Sequence, residues 1–351
     1  MKLLGIISTP WAIVPEKLAE IQNAYKIHFH GKGADVWNIE KHILDQRNAE
    51  DADNETAYEN IDGVAVIPIA GIITKNLSVL SLLFDATLTM DVSAMLNEAL
   101  GDASVKAILF YIDSPGGTVD GTQELSEQIY AARGKKLMIS FTDGMMASAA
   151  YYIGAAADAI YISGDMVHVG SIGVAMRHLD YSRADEMHGY KETDIYSGYY
   201  KRIATGNRPL SEEGHGYLQS RVDYIYSRFV DDVAKYRGVS SQEVMATMAD
   251  GKIFIGTQAL NAGLIDGIVA YNRLIERMAA GDADILKPNN IRRGRFAKQA
   301  RQRASLWDWQ LAKLAGISCG QLWRFEDGTE TPSHELAVRL NKVLKVQAYP
   351  E

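Results

Sequence analysis

Residues 106–117 read KAILFYIDSPGG, a mostly apolar, β-prone run that enters a turn without a break. A run of this length and composition suits a strand buried on both faces, which then needs helices to cover it. The same alternation recurs along the chain. VAVIPI (64–69), KLMISF (136–141) and AIYI (159–162) are further short strands. Between them, DVSAMLNEAL (91–100) and GTQELSEQIYAA (121–132) carry apolar residues at helical spacing, with Asp91 placed to cap the first. Helical patterning returns at 212–236, and TQALNAGLIDGIV (257–269) reads as a helix closed by Gly263 and then a last strand. Short strands alternating with helices predict an α/β fold with a mainly parallel sheet.

Composition narrows the function classes. Hydrophobic residues make up 47% of the 351 and charged residues 23%, as in an ordinary globular protein. The single cysteine, Cys319, excludes a disulfide framework and a cysteine-built zinc site. The eight histidines lack H-E-x-x-H or comparable spacing, so neither a metal nor a cofactor is expected. No apolar run approaches the ~18–20 residues of a spanning helix, and Pro10 and Pro15 break the opening MKLLGIISTPWAIVPEKL. A soluble, cytoplasmic protein with no membrane partner is the expectation.

Charge divides the chain. Residues 285–351 hold twelve Lys and Arg against six Asp and Glu, although the whole carries −8. An acidic body with a basic tail suggests modules with different partners. The expected organisation is a helical preamble and linker over 1–60, a main domain over 61–280, a linker at 281–292 and a small all-α domain over 293–351.

Two loops carry the chemistry. KAILFYI delivers DSPGG (113–117), where Pro115 fixes a turn and the glycines let a backbone amide approach a ligand. After the next strand, TDGMMAS delivers Ser148 to the start of AAYYIGAAA. In a parallel sheet both loops leave from strand carboxyl ends, where α/β active sites form. Ser148 is then a candidate nucleophile, with the amides of Gly117 and Ala149 as oxyanion donors. Lys201, after Tyr199 and Tyr200, is a candidate base if burial among those rings keeps its amine neutral. Ser171 in GSIGV (170–174) is placed to orient that amine, and His168 is the rival base. Each has a plainer reading alone: Ser148 as packing, Lys201 as a solvated cation, His168 as a packed histidine, Ser171 as a turn residue.

The four pieces together resemble the signal peptide peptidase A family of Ser–Lys proteases. The resemblance spans roughly residues 60–275 and rests on DSPGG, MASAAYY, GSIGV and YKRIATGNRPLS. It implies a Clp/crotonase-like superhelical fold, Ser148 as nucleophile and Lys201 as general base. It further implies Gly117 and Ala149 as oxyanion donors and Ser171 as the partner of the lysine. The family often has Gly-Gly after the serine; Ala149-Ala150 stand there in this chain and keep the amide donor. Membrane-bound members carry an anchor helix, whereas the STPWAIVPEKL start looks like the branch found in tailed phages and prophages. That branch acts in head maturation, which implies scaffold and capsid proteins as substrates, a homo-oligomeric ring or dome, and a location in the host cytoplasm or inside the prohead. The competing readings are a crotonase-type acyl-CoA enzyme and a DNA-binding protein acting through its tail.

The tail has its own pattern. LAKLAGIS reads as a helix stopped at Gly316, with Ser318 capping a second helix that ends near Asp327-Gly328; Pro332-Ser333 starts a third. Residues 293–345 resemble the repressor-type (Cro/C1-like) helix-turn-helix domain. That implies Gln321 and Arg324 in the major groove and Arg292, Arg293 and Arg295 on phosphates. Gly320 and Trp323 depart from that pattern, and a helical bundle used for protein contacts is the alternative.

Overall fold

The computed structural model describes residues 10–21, 58–75, 85–346 and 348–349, with backbone alone over 287–292. Its strands are β1 (Trp11–Ile13), β2 (Glu59–Ile61), β3 (Val64–Thr74), β4 (Ala86–Leu88), β5 (Ala107–Thr118), β6 (Leu137–Thr142), β7 (Met145–Ala147), β8 (Ala159–Ile162), β9 (His168–Gly170), β10 (Ile253–Ile255) and β11 (Gly267–Ile268).

The sheet is mostly parallel. The first half of β5 lies between β3 and β6, parallel to both, and β6, β8 and β11 continue in the same sense. Both faces of β5 are buried, which is why the run AILF could be apolar at every position. At Ser114 the strand changes neighbours: it pairs with Met146 of β7, and β7 pairs in parallel with β9. A single long strand therefore joins two layers of a curled sheet, and the DSPGG stretch sits at the join.

Helices α1 (Thr89–Gly101), α2 (Thr122–Ala132) and α3 (Ala149–Ala155) follow β4, β5 and β7. Asp91 lies in the first turn of α1 rather than at its cap, because the helix begins two residues earlier, at Thr89. All seven residues of α3 are buried. Small side chains let this helix approach its neighbours closely, and its tyrosines are the pins. Tyr151 Oη donates to Leu264 O at 2.9 Å. Tyr152 Oη donates to Asp232, and its ring stacks on Phe229 at 4.4 Å. Burial first, and then the Asp232 carboxylate, raise the Tyr152 phenol well above its ordinary value, so it stays a neutral donor. At the other end, the buried Arg133 guanidinium donates to the carbonyls of Ala155 and Ala156, which would otherwise be orphans of the helix terminus.

Asp232 and Phe229, the partners of Tyr152, lie on α4 (Glu212–Arg237), which matches the expected long helix. Gly263 closes the helix Thr257–Ala262 and β11 follows, as the sequence suggested. The N-terminal expectation fares differently. Most of 1–60 lies outside the described residues, but Trp11–Ile13 is a strand rather than helix, and residues 15–21 are helical after Pro15.

The tail holds α5 (Lys287–Arg303), α6 (Asp308–Ala315), α7 (Cys319–Glu326) and α8 (His334–Leu344), packed around Phe296, Leu311, Leu322, Phe325 and Leu340. Ser318 Oγ accepts from Gln321 N at 3.2 Å, so it caps α7 as expected. Most of the 281–292 stretch is helical: a short turn over Ala283–Leu286 leads directly into α5.

Candidate active site

Ser148 lies between β7 and α3 with φ 56° and ψ −118°. Such a backbone is costly for a residue with a side chain, by about 1–3 kcal/mol, and such residues cluster at active sites. Its surroundings hold it there. Ser148 N donates to Gly170 O at 2.7 Å, and Ala147 pairs with Gly170 across β7 and β9. The hydroxyl itself is spare: Ser148 is 1% exposed, and its Oγ has no hydrogen-bond partner among the described residues. A buried hydroxyl without a partner costs stability, so an unpaired one beside a strained elbow points to a reactive role.

The DSPGG turn faces it. Gly116 has φ 106°, and a Cβ there would stand 3.0 Å from Ser148 Cβ and 2.3 Å from Ala12 O. Only glycine fits between them. Ser114 Oγ donates to Gly71 O at 2.6 Å and accepts from Gly116 N at 3.1 Å, which freezes the turn. Asp113 Oδ1 accepts from Met145 N at 3.0 Å and so ties this loop to the one carrying Ser148. Gly117 pairs with Ile73 on one side and Ala12 on the other. Val14 N donates to Pro115 O at 3.0 Å. Gly117 lies two residues along the same strand, so its amide faces the same edge, towards Ala12. Ala149 is the first residue of α3, and its amide is one of the helix N-terminal donors without an intrahelical partner.

The other predicted residues fall as follows. Ser171 is buried, has φ 55°, and its N donates to Lys252 O at 2.6 Å. It adjoins Gly170 and thus the Ser148 elbow. His168 is on β9, paired with Met145, and its N donates to Gly144 O at 3.1 Å. Lys201 lies in the turn Tyr199–Arg202 and is exposed, as are Tyr199 at 67% and Tyr200 at 54%. Within one chain those rings do not bury the amine as expected: Tyr200 packs on Tyr217 and Tyr199 bonds Glu213 instead. Since Ser148 Oγ has no partner, neither Lys201 nor His168 reaches it within the chain.

Sequence reasoning missed three contributors. Asp113 and Ser114 were read as turn residues, and their distant partners gave no local signal. Trp11–Ile13 falls in the segment expected to be a helical preamble, and is a strand.

Among the tail residues, the structure corrects one. Arg293 is buried, and its guanidinium donates to Tyr236 O at 3.3 Å, so it cannot hold a phosphate. Burial drives its pKa down to about 9. Arg295 is exposed, and the side chain of Arg292 lies outside the described residues. Gln321 Oε1 accepts from Ser318 N at 3.2 Å, and Arg324 pairs with Glu330 at 2.6 Å. Among the described residues no group of three or more His, Cys, Asp or Glu could hold a metal ion, and no helix is long and apolar enough to cross a membrane.

With a serine elbow, a facing glycine turn and a curled, mostly parallel sheet in place, known proteins give a consistent answer. Residues 130–285 match the peptidase family S49. This S49 segment contains Ser148, Ser171 and Lys201, while DSPGG lies just upstream. Over 245 residues the chain is 31% identical to the capsid assembly protease C of Escherichia phage lambda, covering 70% of this chain and 55% of that protein. It is 30% identical over 222 residues to the head-tail preconnector protein GP5 of Enterobacteria phage P21, covering 63% and 44%. It is 32% identical over 213 residues to a putative signal peptide peptidase SppA of Enterococcus faecium, covering 59% and 61%. The chain thus spans about half the length of the curated relatives it matches. The S49 match and these protease names support a peptidase.

Proposed function

We propose that the chain is a serine endopeptidase with a Clp/crotonase-like fold, in which Ser148 attacks and Lys201 is the general base. Ser148 Oγ adds to a peptide carbonyl carbon as its proton passes to the neutral amine of Lys201. The oxyanion is met by the amides of Gly117 and Ala149, each worth about 3 kcal/mol of barrier. The protonated amine then gives its proton to the departing amino group, and water repeats the cycle on the acyl-enzyme. Ser171 orients the lysine amine. The observation that carries this is the spare, buried Ser148 hydroxyl on a strained elbow against the Gly116-Gly117 turn.

Lys201 comes from a neighbouring copy in a homo-oligomer. In support, Ser148 Oγ finds no base inside one chain. Lys201 is also carried on an exposed arm rich in Ile195, Tyr196, Tyr199 and Tyr200, apolar surface that assembly would cover. A relative named for capsid assembly supports capsid proteins as substrates; scaffold proteins and a place in the host cytoplasm or the assembling head extend that reading. No relative reported above favours acyl-CoA chemistry.

The tail reads better as a protein-contact bundle than as a DNA reader. Arg293 and Arg301 are spent internally, the latter on Glu326 at 2.6 Å, while Trp307, Trp309 and Trp323 are exposed.

Purified protein tested on a casein-like or scaffold substrate checks the mechanism. Ser148→Ala and Lys201→Ala should each abolish cleavage while the fold persists; full turnover by either variant removes the dyad.

A further inference from the structure

The chain already holds a peptide strand in the place where the proposed mechanism needs one. β1 is hydrogen-bonded on both edges. Towards β5 it runs antiparallel, pairing Trp11 with Thr118, Ala12 with Gly117 and Ile13 with Gly116. On the other edge, Trp11 N donates to Ala175 O at 2.9 Å and Ala175 N returns a bond to Trp11 O at 2.9 Å. An extended segment clamped between two edges is how peptide chains dock by strand addition.

Its position relative to the serine is close. Ala12 O and Ser148 Cβ both lie within 3.0 Å of the point that a Gly116 Cβ would occupy, as does Ile13 Cα. The Ala12 carbonyl faces the edge that bears the Gly117 amide, one of the two donors assigned to the oxyanion. Side chains alternate along the strand. Trp11 and Ile13 pack with Leu18, Ile21 and Ile72 in a cluster of their own, whereas Ala12 joins the main core with Ala149 and Ile172. The strand thus lies on the same turn as the serine, and Ser148 is 1% exposed while it is in place.

We propose that Trp11–Val14 is a built-in pseudosubstrate that fills the peptide-binding cleft of Ser148 and must leave before a substrate enters. The occupant also describes the substrate. It is an extended peptide, bound antiparallel to Gly116–Thr118, with a small residue such as alanine in the Ala12 position, directly before the attacked bond. Large side chains are accepted on either side of that residue, where Trp11 and Ile13 sit. This inference rests on Ser148 being the nucleophile.

Hydrogen exchange on the full chain tests it, with and without a saturating N-acetylated tripeptide ending in alanine boronic acid. Binding of the boronate to Ser148 should strip protection from the amides of Trp11–Val14. Retention of that protection with the boronate bound would overturn the proposal, because strand and substrate would then occupy different places. As a second arm, Trp11→Ala removes the anchor of the strand and should speed fluorophosphonate labelling of Ser148 by about tenfold or more, with the melting transition of the body retained. A labelling rate equal to that of the unsubstituted protein counts against the proposal. If Ser148 reacts in no form of the protein, the peptidase reading fails and this inference with it; if it reacts but the strand stays put, only this inference fails.

Discussion

The amide of Ser148 donates to the carbonyl of Gly170 at 2.7 Å, and the two residues sit on the adjoining ends of β7 and β9. This bond holds the elbow in its positive-φ conformation and leaves the hydroxyl free of the backbone. Gly170 has φ 117°, and a Cβ there would stand 2.9 Å from Lys252 O. Gly170→Ala should therefore destabilise the fold by about 1–3 kcal/mol and lower kcat more than it raises KM. Urea unfolding beside steady-state kinetics reads both effects, and an unchanged kcat would show that the elbow tolerates displacement.

A lysine delivered from a neighbour has a distinctive consequence. Ser148→Ala and Lys201→Ala proteins, each inactive alone, should regain activity when co-expressed or unfolded and refolded together. A serine of one copy then meets a lysine of another, so a mixed assembly retains some complete sites. The readout is proteolysis by the mixture against each parent. No recovery from mixed assemblies shown to form would place both groups in one chain.

The tail should not behave as a sequence reader. In a gel-shift assay across a salt series, the full chain is expected to show no retention of duplex DNA at physiological ionic strength. Weak retention at low salt would come from exposed cations such as Arg295 and disappear steeply as salt rises. Binding that survives physiological salt and selects one sequence would restore the groove-reading roles of Gln321 and Arg324.

Much of this was legible in the residues, and the limits have physical causes. AIYI and KLMISF announced β8 and β6 because strands buried on both faces are mostly apolar. Ser148 and Gly117 could be paired in advance because parallel topology brings both loops to one end of the sheet. The roles of Asp113 and Ser114 were not legible, since Asp113 reaches Met145, 32 residues away, and Ser114 reaches Gly71, 43 residues away. β1 was hidden for the same reason: three residues pair with a strand a hundred positions on, and nothing local marks them. In the tail, charge alone could not separate Arg293, turned inward onto Tyr236, from the exposed Arg295.

Active-site labelling tests the central claim most directly. The full chain is treated with a fluorophosphonate, digested and sequenced by mass spectrometry, with Trp11→Ala and Ser148→Ala treated alongside. One adduct on Ser148 is expected in the unsubstituted and Trp11→Ala proteins, with none in Ser148→Ala. An adduct on a different residue, or no adduct in any of the three, would contradict the assignment of Ser148 as the nucleophile.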